Sequence, residues 1–160
     1  MLMLQNMMDE IYEFWNREEN QYLSKDEIRE IVPKVFSEKH LAALQIGNMN
    51  YQIENGGFEQ WYDNGYAELD LYDLLSFLEP LREKRESIDR VYRLLENFFE
   101  SLEEYEEIRQ EIQKINSMYI DMFQDCLLNH FFSWIRPLSG RYYEINEKFL
   151  EDLEEIYFAK

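Results

Sequence analysis

Between Ile53 and Gly65 the chain reads IENGGFEQWYDNG, a run that sets Glu54, Asn55, Glu59, Gln60, Asp63 and Asn64 among two glycine turns. Carboxylates beside carboxamides can do chemistry. A reaction site here would need a concave pocket around Glu54, Gln60 and Asn64 with a perturbed carboxylate pKa. The same residues also suit a corner of the fold. Asn55-Gly56-Gly57 tolerates the left-handed backbone of a helix C-cap, and Asn64-Gly65 supplies a second stop. Phe58, Trp61 and Tyr62 between them keep helical spacing and can anchor the corner to a core. The side chains of Glu54, Asn55, Gln60 and Asn64 could then satisfy the backbone groups that two helix ends leave open. The residue types favour the corner over the reaction site.

A second set of carboxylates is arranged in rows. Projected on a helix, Glu96, Glu100, Glu103, Glu104, Glu107 and Glu111 fall within an arc of about 100°, opposite the apolar face of Val91, Leu94, Leu95, Phe98, Leu102 and Tyr105. Glu144, Glu147, Glu151, Glu154 and Glu155 repeat the pattern opposite Ile145, Phe149, Leu153 and Ile156. Few cations interrupt these rows, Arg109 and Lys148 being the local exceptions. Like charges at i,i+3 and i,i+4 cost a few tenths of a kcal/mol each, about what an opposite-charge pair would gain. That cost suggests a use. Duplex DNA carries one negative charge per ~1.7 Å of axis, and a row from Glu96 to Glu111 would extend ~22 Å along a helix. A basic DNA-binding groove could dock on it, steered by charge complementarity. A solvated acidic face that keeps the protein soluble, or suits a salt-rich host, accounts for the same residues without a partner.

Other chemistries lack their residues. His40 and His130 are the two histidines, and neither sits in a metal-ligand pattern; no Glu-x-x-His pair, calcium-loop spacing or phosphate-cradling glycine loop occurs. No metal and no cofactor is expected. His130, ahead of FFSW, is expected to be packed inside. Cys126, flanked by Leu127 and Leu128, is expected to be a buried thiol. As the lone cysteine it permits no internal disulfide, which fits a reducing cytoplasm.

Charge sorts the partners further. Asp and Glu number 34 against 16 Lys and Arg, a net charge of −18. That balance opposes direct nucleic-acid binding, which requires cations to displace phosphate counterions. A disordered acidic chain would be poor in aromatics, whereas this one has 12 Tyr, 11 Phe and 3 Trp to build a core. MLMLQNMMDE at the start lacks the basic residues and cleavage site of a signal peptide. No apolar run approaches the ~20 residues that cross a bilayer. A cytoplasmic protein without a membrane segment is expected.

These residues must be held by helices. Apolar spacing is helical throughout and no stretch alternates long enough for a sheet, so the fold class is all-α, a single domain of roughly six to eight helices spanning 1–160. A first helix covers about 3–16 and buries Met7, Ile11, Phe14 and Trp15. Ser24 with Glu27 forms a capping box for a second, stopped near Pro33. Ser37 caps a third that carries Leu41, Leu44, Ile46 and Met49 into the quoted run. Positions 69–78 form another, ended by Pro80. In the long segment 86–134 the apolar face slips from Leu102 and Tyr105 to Ile108, Ile112, Ile115 and Tyr119, which predicts a break near Ser101, where SLEE could cap a new start. RPLSGR, 136–141, is the expected late turn before a closing helix over 142–157.

ENGGFEQWYDNG resembles the Glu-x-Asn-Gly-Gly-Phe-x-Gln-aromatic-aromatic-x-Asn core of a bacterial family of helical domains that includes a DNA-mimic protein. Here Glu54 stands directly beside Asn55, a departure from that spacing. The resemblance is strongest over 41–78 and extends through RYYEINEKFLEDLEEIY; residues 1–35 carry none. It implies an all-helical, acidic protein whose negative surface stands in for DNA phosphates, sequesters a basic DNA-binding protein such as a transcriptional regulator, and forms a homodimer. On that resemblance Glu54, Asn55, Gly56, Gly57, Phe58, Gln60, Trp61, Tyr62 and Asn64 hold the fold, and relatives that share them need not share a partner.

Resemblance and charge together make a non-enzymatic binding protein the expected function. The residues assigned to partner binding are Glu96, Glu100, Glu103, Glu107 and Glu111, with Glu144, Glu147, Glu151 and Glu155 as a second patch. An immunity or anti-defence protein that blocks a basic nuclease or toxin cleft would use the same physics. An enzyme with a site around Glu54, Gln60 and Asn64 is the remaining alternative.

Overall fold

The computed structural model describes residues 2–160, and every regular element among them is helical. Six helices make one bundle: α1 (Leu2–Trp15), α2 (Lys25–Val35), α3 (Glu38–Asp63), α4 (Tyr66–Leu78), α5 (Glu86–Ile115) and α6 (Ser117–Leu153). Short 3-10 turns follow α1 and α4, and the chain closes on a π turn, Glu154–Phe158. None of the described helices is long and apolar enough to cross a membrane.

The early helices start where their capping residues stand. Ser24 Oγ accepts the amide of Glu27 at 3.1 Å while Glu27 Oε1 accepts that of Ser24 at 3.2 Å, which satisfies two open donors of α2. Ser37 Oγ does the same for His40 N, at 3.1 Å, at the head of α3. Proline 33 does not stop α2, which continues two residues to Val35. The start of α1 is capped from the far end of the chain: Glu154 accepts the amides of Met3 and Leu4 at 2.6 and 3.0 Å. Glu154 is therefore turned inward, off the acidic face expected of it. Of the expected α1 core, Met7 and Ile11 are buried, while Phe14 and Trp15 are half-buried against a smaller cluster with Leu23, Ile28 and Val32.

Two expected breaks are absent. α5 runs unbroken through Ser101 for 30 residues, and the chain turns at Asn116, whose side chain caps α6 through Met118 N at 2.9 Å. The slip of its apolar face reflects a change of cover. Leu94, Leu95, Phe98 and Tyr105 pack into the common core, whereas no residue of α5 beyond Tyr105 is buried. RPLSGR is not a turn either: α6 runs 37 residues through Pro137 and Gly140. Losing one backbone hydrogen bond at a proline is outweighed where Phe131, Ile135, Leu138, Tyr142, Ile145 and Phe149 form one continuous buried face.

The main core is aromatic. Phe58 stacks on Phe98 at 5.6 Å, Trp61 lies 5.3 Å from Phe98, and Tyr105 stacks on Phe131 at 4.8 Å. Cys126 and His130, expected inside, are exposed. Between Ser117 and His130 α6 has α5 as its cover on one side, where Ile120, Leu127 and Leu128 are half-buried; Cys126 and His130 share the open side with Met118 and Met122.

Candidate functional site

The quoted run forms a pivot inside α3 and not its end. Helical geometry is interrupted at Gly57 (φ 76°, ψ −177°) and resumes at once through Asp63. A backbone in that conformation excludes nearly every residue with a Cβ. Space excludes one too, because a Cβ on Gly57 would lie 2.8 Å from Ser139 Oγ. The groups opened by the pivot are satisfied from α6, one turn apart. Phe58 N donates to Ser139 Oγ at 2.9 Å, and Tyr143 Oη donates to Ile53 O at 2.6 Å. The second stop is as expected: Asn64 ends α3 and Gly65, at φ 82°, leads into α4.

Most of the carboxamides do other work than expected. Only Asn55 reaches backbone, donating to Tyr51 O at 2.8 Å. Gln60 and Asn64 both donate to Gln52 Oε1, at 3.0 and 2.9 Å, bracing the two arms of the pivot. Glu54 faces α6 instead and accepts from Asn146 Nδ2 at 2.7 Å, beside an Asn50 that also receives Tyr142 Oη at 2.6 Å. Glu54, Gln60 and Asn64 are thus divided between two polar seams. Phe58 and Trp61 are fully buried, and Tyr62 meets Phe131 edge-on at 4.9 Å. Burial, with Tyr105, Glu106 and Glu68 nearby, pushes the Tyr62 hydroxyl up to about 12. Burial, then Glu54, holds Tyr142 well above the usual tyrosine value.

The acidic row on α5 is open to solvent. Glu100, Glu103, Glu104, Glu107 and Glu111 are exposed and Glu96 is half-buried. Cations reach it from the end of α5 itself and from α6. Lys114 lies 3.2 Å from Glu111, and Arg141 of α6 shares a cleft with Glu100 and Glu104. The second patch, Glu144, Glu147, Glu151 and Glu155, is exposed along α6 and the closing turn. It lies beside the start of α5, where Ser87 Oγ donates to Asp152 Oδ2 at 2.6 Å. Arg85 pairs with Glu155 at 3.0 Å, Lys148 pairs with Asp152 at 3.2 Å, and Arg90 lines the same cleft as Glu144. The two rows occupy different levels of the α5–α6 hairpin, and the second is the more neutralised.

One feature of the surface had no signal in any single segment. Between α4 and α5 lies a groove of about 360 Å³, floored by Leu71, Tyr72, Phe99 and Leu102. Glu68 stands on its α4 side and Glu103, Glu106 and Glu107 on its α5 side. Glu106 has Arg109 at 3.4 Å. Among the described residues no Lys or Arg comes within 4.0 Å of Glu68, Glu103 or Glu107. The α5 half was legible as a Glu row beside Leu102, but nothing local to α4 marked Glu68 and Tyr72 as its opposite wall. No cluster of His, Cys, Asp or Glu able to hold a metal ion occurs among the described residues.

Compared with known proteins, the chain matches no family model, no curated protein and no solved structure.

Proposed function

We propose that the chain acts by binding a basic DNA-binding protein, with the carboxylates of α5 taking the place of DNA phosphates. The observation that supports this most is the continuity of α5. Because the helix does not break at Ser101, Glu100, Glu103, Glu107 and Glu111 stand on one uninterrupted scaffold, exposed on a chain of net charge −18. A row already held in helix presents its charges without first having to fold, which favours affinity. The second patch contributes less to this role, since Arg85, Arg90 and Lys148 screen it from within.

The test is capture from a bacterial lysate on immobilised protein, with elution along a salt gradient and competition by duplex DNA. A DNA-binding protein that is retained at low salt and displaced by duplex is the expected result. Reversing Glu100, Glu103, Glu107 and Glu111 to Lys should abolish capture while helicity is kept. Capture that survives the reversal rules out this face. A basic nuclease or toxin among the retained proteins would instead favour the immunity function.

A further inference from the structure

Phosphate mimicry alone has no use for an apolar floor. DNA phosphates present no apolar surface, and a partner that reads only charge would leave Tyr72 and Phe99 uncovered. Yet Tyr72 is 68% exposed and stands edge-on to Phe99 at 5.5 Å, in a groove whose rim holds carboxylates from both α4 and α5. From its charge and its floor together we infer that this groove receives an amphipathic segment of the partner protein, an apolar side chain flanked by Lys or Arg. The inference rests on the proposed binding function and specifies what the partner must present there.

Both halves of the occupant follow from the groove. An exposed ring beside half-buried Phe99 and Leu102 gains from being covered, roughly 25 cal/mol for each Å² of apolar surface removed from water. Glu68, Glu103 and Glu107 lack a cation of their own, so any apolar ligand without positive charge would desolvate them uncompensated. Lys or Arg on either side of the anchor resolves that cost. One turn of helix places the two kinds of side chain at the required spacing, as in other grooves that receive amphipathic helices. A second copy of this chain fits poorly, because it would bring more carboxylates than cations to the same rim.

The full chain is tested against two synthetic peptides of equal length and equal Lys content. One carries Leu and Trp at i, i+3, i+4 and i+7; the other has Ser at those positions. The anchored peptide should bind at least about tenfold more tightly. Tyr72→Ala, a change at an exposed position, should erase that preference while leaving the far-ultraviolet spectrum and thermal midpoint in place. Equal binding of the two peptides, or a preference that survives Tyr72→Ala, overturns the inference. So does displacement of the anchored peptide by tryptamine at the peptide's own concentration, which would make the groove a small-amine site. The Ser peptide reports on charge alone. If it binds at low salt while the anchor adds nothing, the groove is misassigned and the charged face stands; if neither peptide binds, both fall.

Discussion

Phe58 donates its backbone N–H to Ser139 Oγ at 2.9 Å, a buried bond between positions 81 residues apart. It stands where Gly57 turns out of helical geometry, so α6 completes a backbone that α3 cannot complete by itself. Gly57→Ala places a Cβ in a glycine-only conformation and against Ser139, and should cost about 1–3 kcal/mol or more. Ser139→Ala leaves the buried amide without a partner, at about 1–3 kcal/mol. Because the two changes share one contact, the double variant should lose less than their sum. Urea unfolding of the three variants checks this, and an unchanged midpoint for Gly57→Ala would refute the account of the pivot.

Gly140 makes the opposite prediction. It lies in the interior of α6, and a Cβ there would meet nothing within 4 Å. Gly140→Ala should therefore stabilise the protein by about 0.5–1 kcal/mol, the cost of a glycine in mid-helix. A fall in thermal midpoint would mean that RPLSGR bends in solution as its composition suggests.

Asp70 is fully buried and held by Arg29 through two bonds, 2.6 and 2.8 Å, with Gln45 adding a third at 3.1 Å. Arg29→Met would strand a carboxylate away from water, a loss of about 3–5 kcal/mol when one partner of a buried pair is removed. Adding Asp70→Leu to that variant should recover part of the loss. If Arg29→Met alone leaves stability within about 0.5 kcal/mol, the buried pair does not hold the fold.

Alkaline pH should unfold the protein through its tyrosines. Burial raises Tyr142 well above the ordinary value of 10.0 and Tyr62 to about 12, so the native state keeps protons that the unfolded chain releases. Their stabilising contribution is complete below pH 10 and drains away as pH rises through the folded values. Phenolate absorbance should show Tyr142 ionising together with loss of helicity. Tyr142 ionising in a chain that remains helical would contradict its burial.

The sequence carried what is local. Ser24 with Glu27, Ser37, and Asn64-Gly65 marked helix boundaries because each acts on backbone within a few residues. Where the sequence misled, a distant partner decided. Pro137 and Gly140 look like a turn until Tyr142 and Ser139 are seen to be fixed by α3. The face that slips after Tyr105 looks like a new helix until α6 is seen to be its cover. The Glu row was visible by periodicity, but Arg85 against Glu155 and Arg141 beside Glu104 come from other elements, so the unevenness of the two patches was not.

From Glu106 to His130 no side chain is buried, although both arms of this hairpin remain helical apart from its turn. Helix whose packed face is only half-buried opens by local melting far more readily than the core does, so its amides should exchange with solvent well before those around Phe98 and Phe149. Glu107 and Glu111 ride on this outer arm, whereas Glu96 and Glu100 stand on the part of the same helix that packs into the core. A partner that grips the outer carboxylates must hold the arm closed and would slow exchange there alone. The acidic row is thus graded from a rigid root to a yielding tip, and protection along α5 would record how far along it a bound protein reaches.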